Sequence, residues 1–203
     1  MCGRYYIEIS DDEIREIINE IEREKEKRGL SFQLKSGEIF PSDLVPVLAL
    51  EDGIVQPRPM IWGFPKWGNQ SGVIFNARSE SVLEKKMFRD ALIHHPVVVP
   101  TNGFFEWKST PGERKKSKYL FRISEHETLY LAGFSNTFPN NHSTIAERFT
   151  ILTTNANSSV APYHNRMPII VLDNELDVWL NGKNLDYFLN RTPVPVSAKK
   201  IDA

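Results

Sequence analysis

Apolar residues recur at helical spacing in one stretch of this chain and at strand spacing across most of the remainder. Ile14, Ile17, Ile18 and Ile21 follow the i, i+3, i+4, i+7 pattern of one buried stripe, which predicts a helix over 11–28. Ser10 followed by Glu13 fits a capping box, and Gly29 supplies a C-terminal stop. The charged end EREKEKR reads as a solvated face, with Glu22 and Glu24 placed to pair with nearby lysines and arginines. Beyond Gly29 the apolar runs shorten and are punctuated by Pro and Gly. They predict strands over 44–50, 54–57, 73–76, 97–100, 118–123, 128–134, 148–154 and 168–172. A second helix is expected over 79–92. A third starts behind Asp173 and carries Leu176, Val178, Trp179 and Leu180. The segment NTFPNNHSTIAE (136–147) reads as a surface loop. No repeat, low-complexity run or linker divides the chain. The expectation is α+β: a single domain over 1–203 with a β-rich, barrel-like or sandwich core and peripheral helices.

Composition narrows the class. The 203 residues suffice to bury a real core, and 40% hydrophobic with 25% charged residues is ordinary for a soluble globular protein. No run approaches the roughly 18 apolar residues of a membrane span, and the opening MCGRYYIEISDDE lacks the apolar segment of a signal peptide. A lone cysteine forms no internal disulfide, which favours a reducing compartment. A cytoplasmic location is expected, or a nuclear one in a cell with a nucleus. Net charge is −1, but it is uneven. Residues 61–120 hold ten Lys/Arg against five Asp/Glu, a net of +5, while the rest of the chain sums to −6. The basic middle segment is compatible with a nucleic-acid surface or with an ordinary solvated face.

That single cysteine is Cys2, directly behind Met1. Methionine aminopeptidases remove Met1 before a small side chain. Removal leaves an α-amine and a thiol on one residue. The amine can condense with an aldehyde to an imine, and the thiol can then close a five-membered thiazolidine ring. An α-amine titrates near 7.7–8.0 and a thiol near 8.5, so both are partly in the reactive form at neutral pH. An incidental cysteine at a disordered terminus is the plainer alternative.

Four islands carry candidate chemistry: MCGRY at the start, IFNARSE (74–80), VVVPTNGFFEWK (97–108) and APYHNRMP (161–168). Glu106 lies between Phe105 and Trp107, and an apolar setting would raise its pKa and fit it as a general acid. Strand alternation alone would instead put Glu106 on the solvent face with the two aromatics inward. His164 is a candidate proton shuttle or a turn histidine bonded to backbone. Asn76 can orient the N-terminal residue through its amide or serve as an ordinary strand-end asparagine. Arg4, Arg78 and Arg166 can bind phosphates through paired hydrogen bonds, or form structural ion pairs for which Glu80 is a ready partner. Trp67 and Trp107 can stack on splayed bases, whereas Trp62 is expected in the core. No CxxC or HExxH spacing supports a metal site through Cys2, Glu106 and His164, and no cofactor is expected.

Taken together, MCGRY, NARSE, the P-x-N-G-F-F-E-W block at 100–107 and HNRMP resemble the SOS response-associated peptidase family of abasic-site-processing proteins. The resemblance runs from Met1 to Trp179. Val98 or Val99 stands where many relatives have a cysteine, and AGFSN (132–136) differs from the commoner AGLW; neither touches the candidate site. The resemblance implies a single-domain α+β fold that binds single-stranded DNA and links covalently to abasic sites. Cys2 would be the nucleophile, Asn76 would position it, and Glu106 and His164 would move protons. Arg4, Trp67, Arg78, Trp107 and Arg166 would line the DNA path. The partner would be single-stranded DNA with abasic sites, with replication-fork proteins as further candidates, a monomer as the default and nucleoid association when bound. The family name further suggests removal of Met1 by self-cleavage. Two other readings stay open: a cysteine hydrolase acting in trans, and a non-catalytic single-strand binder.

Overall fold

The computed structural model describes residues 2–66, 71–112, 114–123, 128–139 and 146–201. Trp67, expected on the DNA path, lies outside the described residues, as does 140–145 of the expected loop.

Among the described residues, two large sheets, a two-stranded ladder and four α-helices form the fold. The smaller sheet runs β15 (Ser197–Ile201), β10 (Ser117–Arg122), β9 (Gly103–Lys108), β1 (Arg4–Ile7), β2 (Gly37–Ile39). The larger one contains β3 (Leu44–Glu51), β4 (Ile54–Trp62), β8 (Pro96–Thr101), β11 (Leu129–Thr137) and β12 (Glu147–Asn155). Their pairings close on themselves: β3 joins β4 and β8, β8 joins β11, β11 joins β12, and β12 returns to β4 through Arg148↔Ile61 and Phe149↔Trp62. This ring is the expected barrel-like core. The strands β7 (Asn76–Arg78) and β13 (Arg166–Pro168) pair with β12, and β14 (Ile170–Val171) pairs with β11. A short ladder joins β5 (Phe64–Pro65) to β6 (Val73–Ile74).

Alternation along β8 divides the core. Val97 and Val99 enter one cluster with Tyr5, Ile7, Phe104 and Phe121 of the smaller sheet. Val98 enters the other with Phe88, Leu92, Trp179 and Phe188 from the helices. All six residues of β8 are buried, because one face meets a sheet and the other meets helices. Trp62 is fully buried, as expected, and its Nε1 donates to Phe75 O at 2.9 Å.

Helix α1 (Asp12–Lys27) buries Ile14 and Ile21. Its cap is Asp11 and not the expected Ser10: the Asp11 carboxylate accepts from Ile14 N at 3.0 Å. At the far end Gly29 takes φ +61°, with Gly29 N→Glu26 O and Leu30 N→Lys25 O bonds, the Schellman arrangement. The ion pairs Glu22–Lys25 and Glu24–Lys27 match the pattern reading. Helix α2 spans Lys86–His94, later than the expected 79–92. The cause is Ser79, whose amide still bonds Thr153 O at 2.9 Å and prolongs β7 pairing into a run of turns. The third apolar segment begins as a 3-10 turn at Asp173–Glu175 and becomes α3 (Leu176–Leu180), with α4 (Leu185–Asn190) behind it. Among the described residues, no helix is long and apolar enough to cross a membrane.

Candidate active site

The four candidate catalytic residues come from four places in the fold. Cys2 precedes β1, Asn76 opens β7, Glu106 sits on β9, and His164 lies in the turn between β12 and β13. Register brings them together. The β1–β9 ladder pairs Arg4 with Phe105, so the start of the chain runs beside Glu106. The parallel β7–β12 pair sets Asn76 opposite Ile151, and β12–β13 pairs Asn155 with Arg166 just after His164.

Cys2 is fully buried. Its carbonyl accepts a hydrogen bond from Asn76 Nδ2 at 2.7 Å, and its thiol donates to Arg4 O at 3.5 Å. The Asn76 Oδ1 atom is buried without a hydrogen-bond partner among the described residues. Burial, reinforced by the negative charge of Glu106, pushes the Cys2 thiol far above its ordinary range, so it is held as the neutral thiol.

Alternation on β9 is decisive for Glu106. Phe104 and Glu106 face inward, and Phe105 and Trp107 turn to the other face of the sheet. Glu106 is only 3% exposed, and burial pushes its carboxyl up to about 7. It therefore holds a proton far closer to neutrality than an exposed carboxyl does. Its Oε1 lies 3.9 Å from His164 Nδ1. The His164 ring is held below its ordinary value, first by burial. Its Nδ1 lies 2.9 Å from Arg166 N and 3.2 Å from Arg166 O; the shorter contact, from the amide, is made by a neutral ring with its hydrogen on Nε2.

The positions expected to meet DNA divide into three kinds. Arg78 is exposed beside an open polar hollow lined with Asn155, His164, Asn165 and Arg166. Arg4 is part-exposed, pairs with Glu38 at 2.9 Å, and lies between the rings of Phe40 (4.5 Å) and Trp107 (4.9 Å). Arg166 is 8% exposed and its guanidinium is spent inside the protein, on Glu80, Asn155 Oδ1 and Thr153 O. Pattern reading did not single out Lys116, whose charge acts on both Glu106 and His164, nor Lys118, which packs 4.0 Å from the Phe105 ring and bonds Glu38 at 2.6 Å. The +5 charge of the middle segment contained them without placing them. Among the described residues, no group of three or more His, Cys, Asp or Glu side chains is arranged to hold a metal ion.

Comparison with known proteins gives this site a context. The abasic site processing protein YoqW of Bacillus subtilis is 28% identical over 196 residues, covering 92% of this chain and 83% of its own. The abasic site processing protein YoaM of the same organism is 25% identical over 209 residues, covering 100% and 89%. A crystal structure of a Bordetella bronchiseptica protein superposes with a TM-score of 0.76 at 19% identity, over 100% of both chains, and so shares the fold. The family model for SOS response associated peptidase (SRAP) matches residues 1–201. The chain belongs to the SOS response associated peptidase family.

Proposed function

We propose that this protein processes abasic sites in single-stranded DNA by bonding to them through Cys2 once Met1 has been removed. The observation that carries the reading is the junction of Asn76 with the Cys2 backbone, beside a buried Glu106 whose carboxyl is pushed up to about 7 and the His164 ring. The names of the relatives point to the same lesion.

The steps follow from the groups present. An abasic deoxyribose exists partly as an open-chain aldehyde. The freed α-amine of Cys2 attacks its C1′ carbon to give a carbinolamine. Asn76 already grips the Cys2 carbonyl, and its second amide atom, Oδ1, suits an amine N–H. Protonated Glu106 gives its proton to the departing hydroxyl, which leaves as water, and the nitrogen lone pair forms the C=N bond, so that a protonated imine remains beside the Glu106 carboxylate. The Cys2 sulfur then bonds to C1′. Its proton passes to the Glu106 carboxylate, and the C=N electron pair returns to nitrogen, which keeps its hydrogen as the ring amine. The product is a thiazolidine, and Glu106 ends as it began. A carboxyl group near 7 serves both directions of this transfer, and a positioned acid–base group is typically worth about 10²–10⁴ in rate. Ring closure removes the imine through which β-elimination would cut the strand. The DNA path would run along Arg78, Arg4 and Trp107, with Trp67 as a further stacking candidate. Self-removal of Met1 by the same thiol would leave Met1 in place in Glu106→Ala protein but not in the wild type.

A hydrolase acting in trans has less support, because it attacks as a thiolate and the Cys2 thiol is pushed far above its ordinary range, whereas the proposed reaction begins at the amine. The test is denaturing gel electrophoresis after mixing Met1-free protein with a single strand carrying one abasic site. The proposal expects an SDS- and heat-resistant shift confined to the abasic strand and lost in Cys2→Ala. A shift that persists in Cys2→Ala without borohydride would sink it.

A further inference from the structure

Resting on that reading of the site, we propose that Glu80 is a positioning residue: by clamping Arg166 it fixes the backbone amide that selects the tautomer of His164. Glu80 is exposed and lies two residues past β7, the strand that carries Asn76. Both of its carboxylate oxygens engage the Arg166 guanidinium, with Nη2 to Oε2 at 2.9 Å. The same guanidinium donates to Asn155 Oδ1 at 2.9 Å and to Thr153 O at 2.6 Å, both on β12. One side chain thus ties the end of β7 to β12 and anchors the first residue of β13.

That first residue is also the one that holds the histidine. Arg166 N stands 2.9 Å from His164 Nδ1, closer than the 3.2 Å of Arg166 O, and only an unprotonated Nδ1 can accept from that amide. Glu106 Oε1 stands 3.9 Å from the same nitrogen. Nδ1 is therefore contested: the Arg166 amide needs it bare, while the Arg166 carbonyl oxygen at 3.2 Å and the Glu106 carboxylate favour it protonated. While the amide wins, the neutral ring presents Nε2–H as a donor and Glu106 keeps its proton traffic with Cys2. Loosening Arg166 hands Nδ1 to Glu106 and withdraws both groups from their tasks. Hydrogen-bonded partners one step behind a functional histidine commonly set its tautomer in this way.

The experiment uses the full chain labelled with ¹⁵N-histidine, with the His164 ring assigned among the five histidines by His164→Gln. Long-range ¹H–¹⁵N correlations are recorded at a pH where the ring is neutral. Wild type is expected to show Nδ1 unprotonated and Nε2 protonated. Glu80→Ala is expected to move His164 toward the Nδ1–H tautomer and to slow adduct formation roughly tenfold. Binding to an intact strand should stay within about twofold. Glu80→Gln, which keeps one acceptor for Arg166, should fall between the two. A wild-type ring already protonated at Nδ1 overturns the proposal. So does an unchanged tautomer in both variants, whatever their melting temperatures, since the pair would then be a simple staple. If the wild type forms no adduct at all, the tautomer readings still decide the role of Glu80, and the failure falls on the functional reading alone.

Discussion

A carboxyl group pushed from its ordinary 4.5 up to about 7 by burial leaves a signature in stability as well as in catalysis. Between those values the folded chain holds the Glu106 proton and the unfolded chain has released it. Stability from this group therefore falls as pH rises through that window and stays lost above it. Glu106→Gln should remove the dependence. Its melting temperature should exceed that of wild type by a few degrees at pH 8 and by much less at pH 5. An equal difference at both values would contradict the burial of a titrating carboxyl. Cys2 makes a second residue-level prediction. A fully buried neutral thiol should react with a disulfide reagent at least about tenfold more slowly in the native chain than in denaturant, and a native rate matching the denatured one would refute its burial. The identity of these residues was legible in the sequence through their motifs; their environment was not. Whether Glu106 faced water or core hung on the parity of one strand. Only the pairing of β9 with β1 and β10 decides it.

Elements were legible where periodicity is strong and backbone demands are local. Helix α1 and strands β3, β8, β11 and β12 fall where their apolar patterns put them, within a few residues. The misses have physical causes. Strand β4 continues to Trp62 through Pro57 and Pro59, residues that read as a stop yet pair with Leu48 and Pro46 in the β3 ladder. The edge strand β15, SAKKI, is mostly polar, and neither β1 nor β2 spans more than four residues; each is a strand because of its partner. The cap of α1 is a testable case. Asp11 also accepts from Asn102 Nδ2 at 3.0 Å and Thr128 Oγ1 at 3.3 Å, so it ties the helix start to the block that leads into β9. Asp11→Ala should cost about 1–2 kcal/mol by urea denaturation and Ser10→Ala only a few tenths. The reverse order would restore the capping box expected from Ser10 and Glu13. Gly29→Ala, which forces a Cβ into the left-handed region at φ +61°, should cost about 1 kcal/mol.

At the scale of the molecule, a near-neutral protein carries cations on both faces of the strand that holds Glu106. Arg78 lines the hollow beside His164, and the charge of Lys116 acts on Glu106 and His164, while Arg4 and Lys118 share Glu38 and pack on Trp107 and Phe105, on the other face of β9. Neutralising phosphates releases counterions, so binding to single strands should weaken steeply with salt. Changing Lys116 and Lys118 together to glutamine should lower affinity and reduce the slope of log K against log salt by about 0.7 for each phosphate no longer neutralised. An unchanged slope would place the strand elsewhere. The central claim is that this arrangement makes the terminal residue act through amine and thiol together. Intact mass spectrometry of the adduct tests it most directly. The account predicts a mass equal to the Met1-free chain plus the abasic strand less one water. It also predicts a Cys2 thiol that resists alkylation after denaturation. An adduct whose thiol alkylates freely, or one that survives only after borohydride reduction, would contradict ring closure at Cys2.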